Sequence, residues 1–519
     1  MKNFNRNLIL SLTTLCLSIA VTNSFADTAS NLKTVSSTEN DLKDNPQSIK
    51  YVRKSVFSPN NVDLEDYKLA VKLMKDLPKT DRRNWYFQSG IHGYFNPYDK
   101  DNKSKFIQSV SLKPENYNLG SKMKHDVKDH QHTSKTLAYF KDSDGKLSEI
   151  QAWDLCHEWG ADNSLFLLWH RVYVYSFENI ARELLSQKTQ KTSNFALPYW
   201  DYTDQTNAQK SILPKEFNTP KNTSNSLYVE GRSEDVQKTG IKPEYLKLKD
   251  IMNSQSMDSF SNNLERGVHN KVHLSVGDAN KDYIVMGQVP SAAQDPIFWL
   301  HHSNIDRIWA CWNSVGHNNT QFKDNGIKYS FVQPDGSVKQ YSVQEMQDLV
   351  AKMDYGYESF KDCATPLTAS NNLSNVNTLK LSSNYSGKIQ NQTIEIPFNS
   401  NTVLKSLKDT PVYEGSLILG KIKTITSVNG LYEIYLKAPD IKAEVLVDAI
   451  SFFGTHPDTT NSDTYDISEE INRLISRGAN INNIKVIIKP DSRLTTENKA
   501  KISHEFEISD VSLELKTAK

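Results

Sequence analysis

The stretch MGQVPSAAQDPIFWLHHSNIDRIWACW, residues 286–312, decides how the rest of the chain is read. Asp295 is placed to cap a helix N-terminus and Pro296 to occupy its first position, because the cap satisfies a free N–H and proline has none to satisfy. Ile297, Phe298, Leu300, Ile305, Ile308 and Trp309 follow at helical spacing and predict a helix that carries the pair His301–His302. Asp306 comes one turn after His302. The expectation is therefore that its carboxylate orients that imidazole, as carboxylates commonly do for metal-bound histidines.

Working outward, LERGVHNKVHLSV places His269 and His273 four residues apart on one predicted helix face, with Glu265 one turn earlier. With His302 they make three imidazoles. The first half of the chain offers a second set: His92 at the end of a helix predicted over Asp81 to Ile91, His157 in the loop that follows, and His170 inside a buried helix predicted from Leu165 to Leu184. Two sets of three nitrogens, with no thiolate or carboxylate, favour copper or zinc over calcium or magnesium. A single HxxxH is weak evidence and two sets in one chain are much stronger. A zinc protease is excluded because Asn270 stands where HExxH needs glutamate. His125, His130 and His132 fall in a segment rich in Lys, Asp, Ser and Asn, 97–150, and read as solvated surface groups.

The 519 residues carry no formal net charge, and no charge run supports a nucleic-acid or anionic-membrane partner. Residues 1–26 combine Lys2 and Arg6, an apolar run from Leu8 to Val21 and the small-x-small end Ser24-Phe25-Ala26, which reads as a secretory signal too short to span a bilayer. The expected location is secreted or periplasmic, with no membrane anchor. Residues 27–49 are polar and read as a flexible leader. Past the signal, Cys156, Cys311 and Cys363 allow at most one disulfide. Cys311, between Trp309 and Trp312, reads as core packing.

After Cys363 the pattern changes from period 3.6 to period 2. SLILGKIKTI, YEIYLKAP, AEVLVDAISFFG, NIKVIIKP and HEFEISDVSLEL read as short strands separated by turns. The fold class is thus mainly α: a helical-bundle domain over 50–365, followed over 366–519 by an antiparallel β-sandwich.

WHRVYVYSFE at 169–178, LPYWDY at 197–202, HNKVH at 269–273 and DPIFWLHHSNIDRIW at 295–309 resemble the signatures of the tyrosinase, catechol oxidase and haemocyanin family. FQSGIHG at 87–93 is similar to its first-ligand segment, and the resemblance covers residues 50–315. It implies two copper ions, one held by His92, His157 and His170 and the other by His269, His273 and His302, with His301 and Asp306 behind them. It also implies Phe298, Val289 and Met286 as pocket lining, and Glu265 and Asn270 as holders of a water that deprotonates a monophenol. One departure concerns His157, which lies thirteen residues before His170, where the family spacing is nine and would fall on Ala161. EWGADN then reads as an insertion, and Cys156 as a free or buried thiol. The C-terminal run resembles the β-sandwich that follows the copper domain in haemocyanins and plant polyphenol oxidases. The implied activity is oxidation of o-diphenols to o-quinones by dioxygen, with hydroxylation of monophenols. An o-diphenol-only oxidase and a dioxygen carrier without turnover would use the same ligands and remain alternatives.

Overall fold

The computed structural model describes residues 49–92, 165–277, 286–363, 376–398, 412–426, 430–455, 458–491 and 505–518, apart from positions 79, 320, 321, 325 and 327. The signal and leader segments, the 97–150 segment, Cys156 and His157 lie outside these residues.

The central element is the helix Pro296–Ser314. Asp295 caps it by accepting from the Ile297 amide at 3.0 Å, and Pro296 opens it, as the sequence predicts. His301, His302, Asp306 and Arg307 are buried along with its apolar residues, so polar chemistry sits inside the core on this helix. It packs on the helix Leu165–Thr189, where Phe177 stacks on Trp299 with ring centroids 3.7 Å apart. The helix Val62–Asp76 buries Leu64, Tyr67, Ala70, Val71 and Met74 at i, i+3 and i+4 spacing, and the Tyr67 hydroxyl donates to the Pro296 carbonyl. The short helix Trp85–His92 ends on its histidine.

The helix expected over 263–276 is not continuous. Met257–Leu264 is α, Glu265–His269 is a π-turn with Gly267 at ψ −112°, and Asn270–Val276 is α again. π-turns inside helices commonly mark functional positions. The π-turn breaks the α register between Glu265 and His269. The helical part also holds the parallel pair β1 (Tyr51–Arg53) and β4 (Tyr355–Tyr357), and the hairpin β2 (Tyr329–Val332) and β3 (Val338–Tyr341).

Beyond residue 375 the chain is β-rich, so "mainly α" holds only for the first part. The strands are β5 (Val376–Ser383), β6 (Gly387–Gln390), β7 (Ile394–Pro397), β8 (Val412–Thr424), β9 (Leu431–Lys437), β10 (Val445–Ser451), β11 (Thr460–Asp466), β12 (Lys485–Pro490) and β13 (Glu505–Ala518). They form an antiparallel sheet ordered β10-β9-β12-β7 and another ordered β11-β8-β13-β5, with β6 also on β13. Inward residues of both sheets share one apolar cluster, among them Leu417, Leu419, Ile434, Leu436, Val486, Ile488 and Leu513. Leu431, Ala449 and Phe453 instead join the core of the helical part.

Cys311 is not simple packing. It is disulfide-bonded to Cys363, 52 residues on, which ties the end of the central helix to the last described residue before the β-rich part. Sequence spacing alone gave no pairing. Among the described residues no helix is long and apolar enough to cross a membrane.

Candidate metal centre

Five of the six proposed ligands lie among the described residues, and all five are buried. Ring nitrogens of His92, His170 and His302 lie within 4.8 Å of one another, and so do those of His269, His273, His301 and His302. The two sets meet at His302, whose ring stacks on His170 at 4.2 Å.

What fixes the rings is mostly backbone. His92 Nδ1 meets the Val289 carbonyl at 3.0 Å, His170 Nδ1 the Phe166 carbonyl at 2.8 Å, and His273 Nδ1 the Met286 carbonyl at 2.9 Å. His269 Nδ1 meets the side-chain oxygen of Asn270 at 2.8 Å. An amide oxygen only accepts, so each Nδ1 must be the protonated nitrogen and each Nε2 carries the lone pair. His269 Nε2 and His273 Nε2 then face each other at 3.1 Å. Two lone pairs held that close repel unless a cation lies between or beside them, so the donor set fits a metal of borderline softness. Both His302 ring nitrogens are buried without a hydrogen-bond partner, a cost that a metal–nitrogen bond would remove.

Burial drives His273, His301 and His302 well below the ordinary histidine range, with neighbouring imidazoles adding to it: His269 for the first two, His170 for the third. Neutral rings are the form in which histidine binds metal. The walls are aromatic. Phe298 lies 4.2 Å from His302 and 4.8 Å from His92, and Phe166 lies 4.7 Å from His269.

One expectation is corrected. Asp306 does not orient His302: its carboxylate accepts from Arg53, Arg171, Tyr355 and Tyr357, while His302 Nδ1 has no partner. The four donors converge on the carboxylate from β1, β4 and the Leu165–Thr189 helix, and so turn it away from the ring. Met286 and Val289 meet the site through their carbonyls, on His273 and His92, a contribution not tied to either side chain.

Glu265 is half-buried in the π-turn, and the neighbouring cations reach the β-rich part: Arg266 pairs with Asp463 at 2.8 Å and Lys271 with Asp448 at 2.7 Å. Asn270 holds His269 with its oxygen, while its Nδ2 donates to the Phe453 carbonyl at 3.3 Å. Sequence reasoning missed Phe166 and Phe453. Phe166, four residues before His170, was recoverable from helical spacing. Phe453 was not: it comes from the loop after β10, 180 residues beyond His273, and its ring stacks on that histidine at 4.2 Å and 12°.

Residues 82–243 and 222–315 match the common central domain of tyrosinase. The chain is 26% identical over 330 residues to tyrosinase HcTyr1 of Hahella sp. (strain CCB-MM4), covering 57% of this chain and 60% of that protein. It is 26% identical over 347 residues to the chloroplastic polyphenol oxidase A1 of Vicia faba, covering 59% of this chain and 47% of that protein. It thus spans about half the length of these curated relatives. In fold it is similar to a recombinantly expressed latent aurone synthase (polyphenol oxidase), with a TM-score of 0.53 at 17% identity and 91% of each chain covered. Residues 82–315 thus carry the common central domain of tyrosinase, the domain of a family that uses dinuclear copper.

Proposed function

We propose that this chain is an exported, copper-dependent polyphenol oxidase that converts o-diphenols to o-quinones with dioxygen, hydroxylates monophenols, and is held closed by its own β-rich region. The reading divides the chain into a cleaved signal at 1–26, a leader at 27–49, a copper domain at 50–365 and a β domain at 366–519. The observation that carries it is the convergence of the His269 and His273 lone pairs at 3.1 Å among buried aromatic side chains. His92, His157 and His170 would hold one ion, and His269, His273 and His302 the other. Two copper ions there would supply the redox chemistry, passing the two electrons of each o-diphenol to dioxygen.

The chain's own residues do the rest. Phe298 and Phe166 pack against the imidazoles and would give a bound phenol an apolar, aromatic surround. Glu265 with Asn270 would hold the water that takes a monophenol's proton. In the closed chain the Asn270 amide bonds to His269 and, through one N–H, to the Phe453 carbonyl, so withdrawal of Phe453 would free that donor for the water. Phe453 on His273 occupies the face a phenol ring would use, which is the basis for the latent state.

The same contact also favours a second reading, a dioxygen carrier without turnover. Oxygen uptake by the copper-loaded full chain, given a monophenol and a catechol separately, decides between them. Phe453→Ala is expected to raise uptake at least about tenfold over the native chain, the effect of removing roughly 1.4 kcal/mol of closure. Reversible oxygen binding by Phe453→Ala, with no consumption of either phenol, would establish the carrier.

A further inference from the structure

His301 and Tyr202 belong to sequence motifs whose roles the reading above leaves open. His301 is fully buried, 4.8 Å from the His273 ring and 5.2 Å from that of His269, and its Nε2 has no hydrogen-bond partner. A ring nitrogen of His301 also falls within the second histidine set, so geometry alone would admit it as a ligand. The partner of its Nδ1 separates the two possibilities. His92, His170, His269 and His273 each set Nδ1 against an amide oxygen, which forces Nδ1–H and bares Nε2. His301 sets Nδ1 against the Tyr202 hydroxyl at 2.8 Å, and a hydroxyl can donate. Tyr202 is itself 1% exposed, and burial holds its phenol protonated, well above the ordinary range. When that proton is given to His301 Nδ1, the neutral imidazole accepting there carries its own proton on Nε2. That buried N–H lies among His269, His273 and His302 with nothing to receive it.

We propose that His301 is a binding residue rather than a ligand: its Nε2–H donates a hydrogen bond to an anion held in the second histidine set, a phenolate or a small anion in its place, and Tyr202 is the positioning residue that selects this tautomer. The proposal rests on the metal-centre reading for the anion, and on the Tyr202–His301 contact alone for the tautomer. It gives the Tyr of LPYWDY a task and explains why two adjacent histidines do different work. His302 has neither nitrogen tied and is free to ligate; His301 has one tied to a donor and is not.

Two measurements on the full chain test it. In metal-free protein labelled with 15N at histidine, the His301 resonances, assigned by their loss in His301→Gln, are expected to show Nε2–H with Nδ1 as acceptor. Tyr202→Phe is expected to shift this toward Nδ1–H. An Nδ1–H tautomer in the native chain overturns the proposal whether or not copper binds. In the copper-loaded chain, with azide as the probe anion, Tyr202→Phe and His301→Leu are expected to keep the native copper content. Both should weaken azide binding about tenfold, the usual scale for losing a hydrogen bond to a charged group. His301→Gln, which keeps an N–H, is expected to recover most of that loss. A copper ion lost in His301→Leu would make His301 a ligand, and unchanged azide affinity at full copper would remove the donor role; either overturns the proposal. Failure of the native chain to take up copper would instead sink the metal-centre reading, leaving the tautomer to the resonance measurement.

Discussion

Two groups of ion pairs hold this molecule, and they differ in burial far more than in chemistry. The first lies inside the helical part. Arg53 of β1 pairs with Glu178 at 2.6 Å and with Asp306 at 3.1 Å, Arg171 pairs with Asp306, and the Arg53 guanidinium lies 3.7 Å from the Tyr355 ring centroid. Arg53 and Glu178 are wholly inaccessible. The second group spans the seam between the helical and β-rich parts. There Lys242 pairs with Glu433, Lys247 with Glu470, Lys249 with Asp466, Arg266 with Asp463 and Lys271 with Asp448. In each of these five pairs the cation comes from the helical side and the acid from the β side, while Asp250 of the helical side accepts from the Asp466 amide at 3.0 Å. Interior pairs mix both signs and are shielded from water, so breaking one strands a charge. Seam pairs draw the cation from one side and the acid from the other, so they exist only while the two sides meet. The first arrangement locks; the second can let go.

The largest effect should come from breaking the lock. Glu178 accepts from Arg53 and, through its other oxygen, from the Leu197 amide at 2.8 Å. Glu178→Ala leaves a buried guanidinium and a buried N–H with reduced partners. It is expected to cost about 3–5 kcal/mol of unfolding free energy in denaturant titration. A loss below about 1 kcal/mol would place this network with ordinary surface pairs and erase the contrast.

A smaller, pH-dependent effect should come from Asp306. Burial by itself would raise its carboxyl, but Arg171 and Arg53, with the Tyr355 and Tyr357 hydroxyls, bring it below the ordinary value of 3.8. A carboxylate whose pKa is depressed on folding adds stability that is fully present above the unfolded value and is lost as pH falls through the folded one. The native melting temperature should therefore decline as pH drops to and below 3.8. Asp306→Asn, less stable at neutral pH, should show a flatter profile in that acid window. Parallel profiles for the two proteins would mean that the carboxylate is not the group being titrated.

The same difference in locality explains what the sequence disclosed. His269, His273, His301 and His302 sit in short motifs on helices whose caps and apolar spacing are visible, so half of the site was legible from spacing. His92 and His170 were legible only as a matching count of histidines, because only the folded chain brings a helix end and a helix interior together. The Val289, Phe166 and Met286 carbonyls that set the tautomers have no side-chain signature at all. Asp306 misled because i, i+4 spacing puts it near His302 but says nothing of Arg53, 253 residues away, which binds it first. The π-turn at Gly267 likewise broke a helix that periodicity had joined. The strands were legible from their period of two, whereas Phe453 is meaningful only through the surface it lands on.

The seam itself offers the smallest effect and the finest test of the comparison, since its pairs differ among themselves. Lys249 is 59% exposed, so its pair with Asp466 is screened and worth about 0–1 kcal/mol. Lys271 is 6% exposed, and its partner Asp448 is buried enough that its carboxyl is pushed up even beside the ammonium. Raising ionic strength from about 0.01 M to about 1 M shortens the screening length from roughly 30 Å to roughly 3 Å, which weakens the first pair and scarcely touches the second. Lys249→Met should therefore change oxygen uptake by the copper-loaded chain only slightly at low salt and not at all at high salt. Lys271→Met should raise uptake at both, because it leaves Asp448 unpaired next to the loop that presents Phe453. Equal, salt-insensitive responses from the two variants would mean that seam charges do not hold Phe453 in place. Closure would then rest on its stacking over His273 and on the Asn270 bond to its carbonyl.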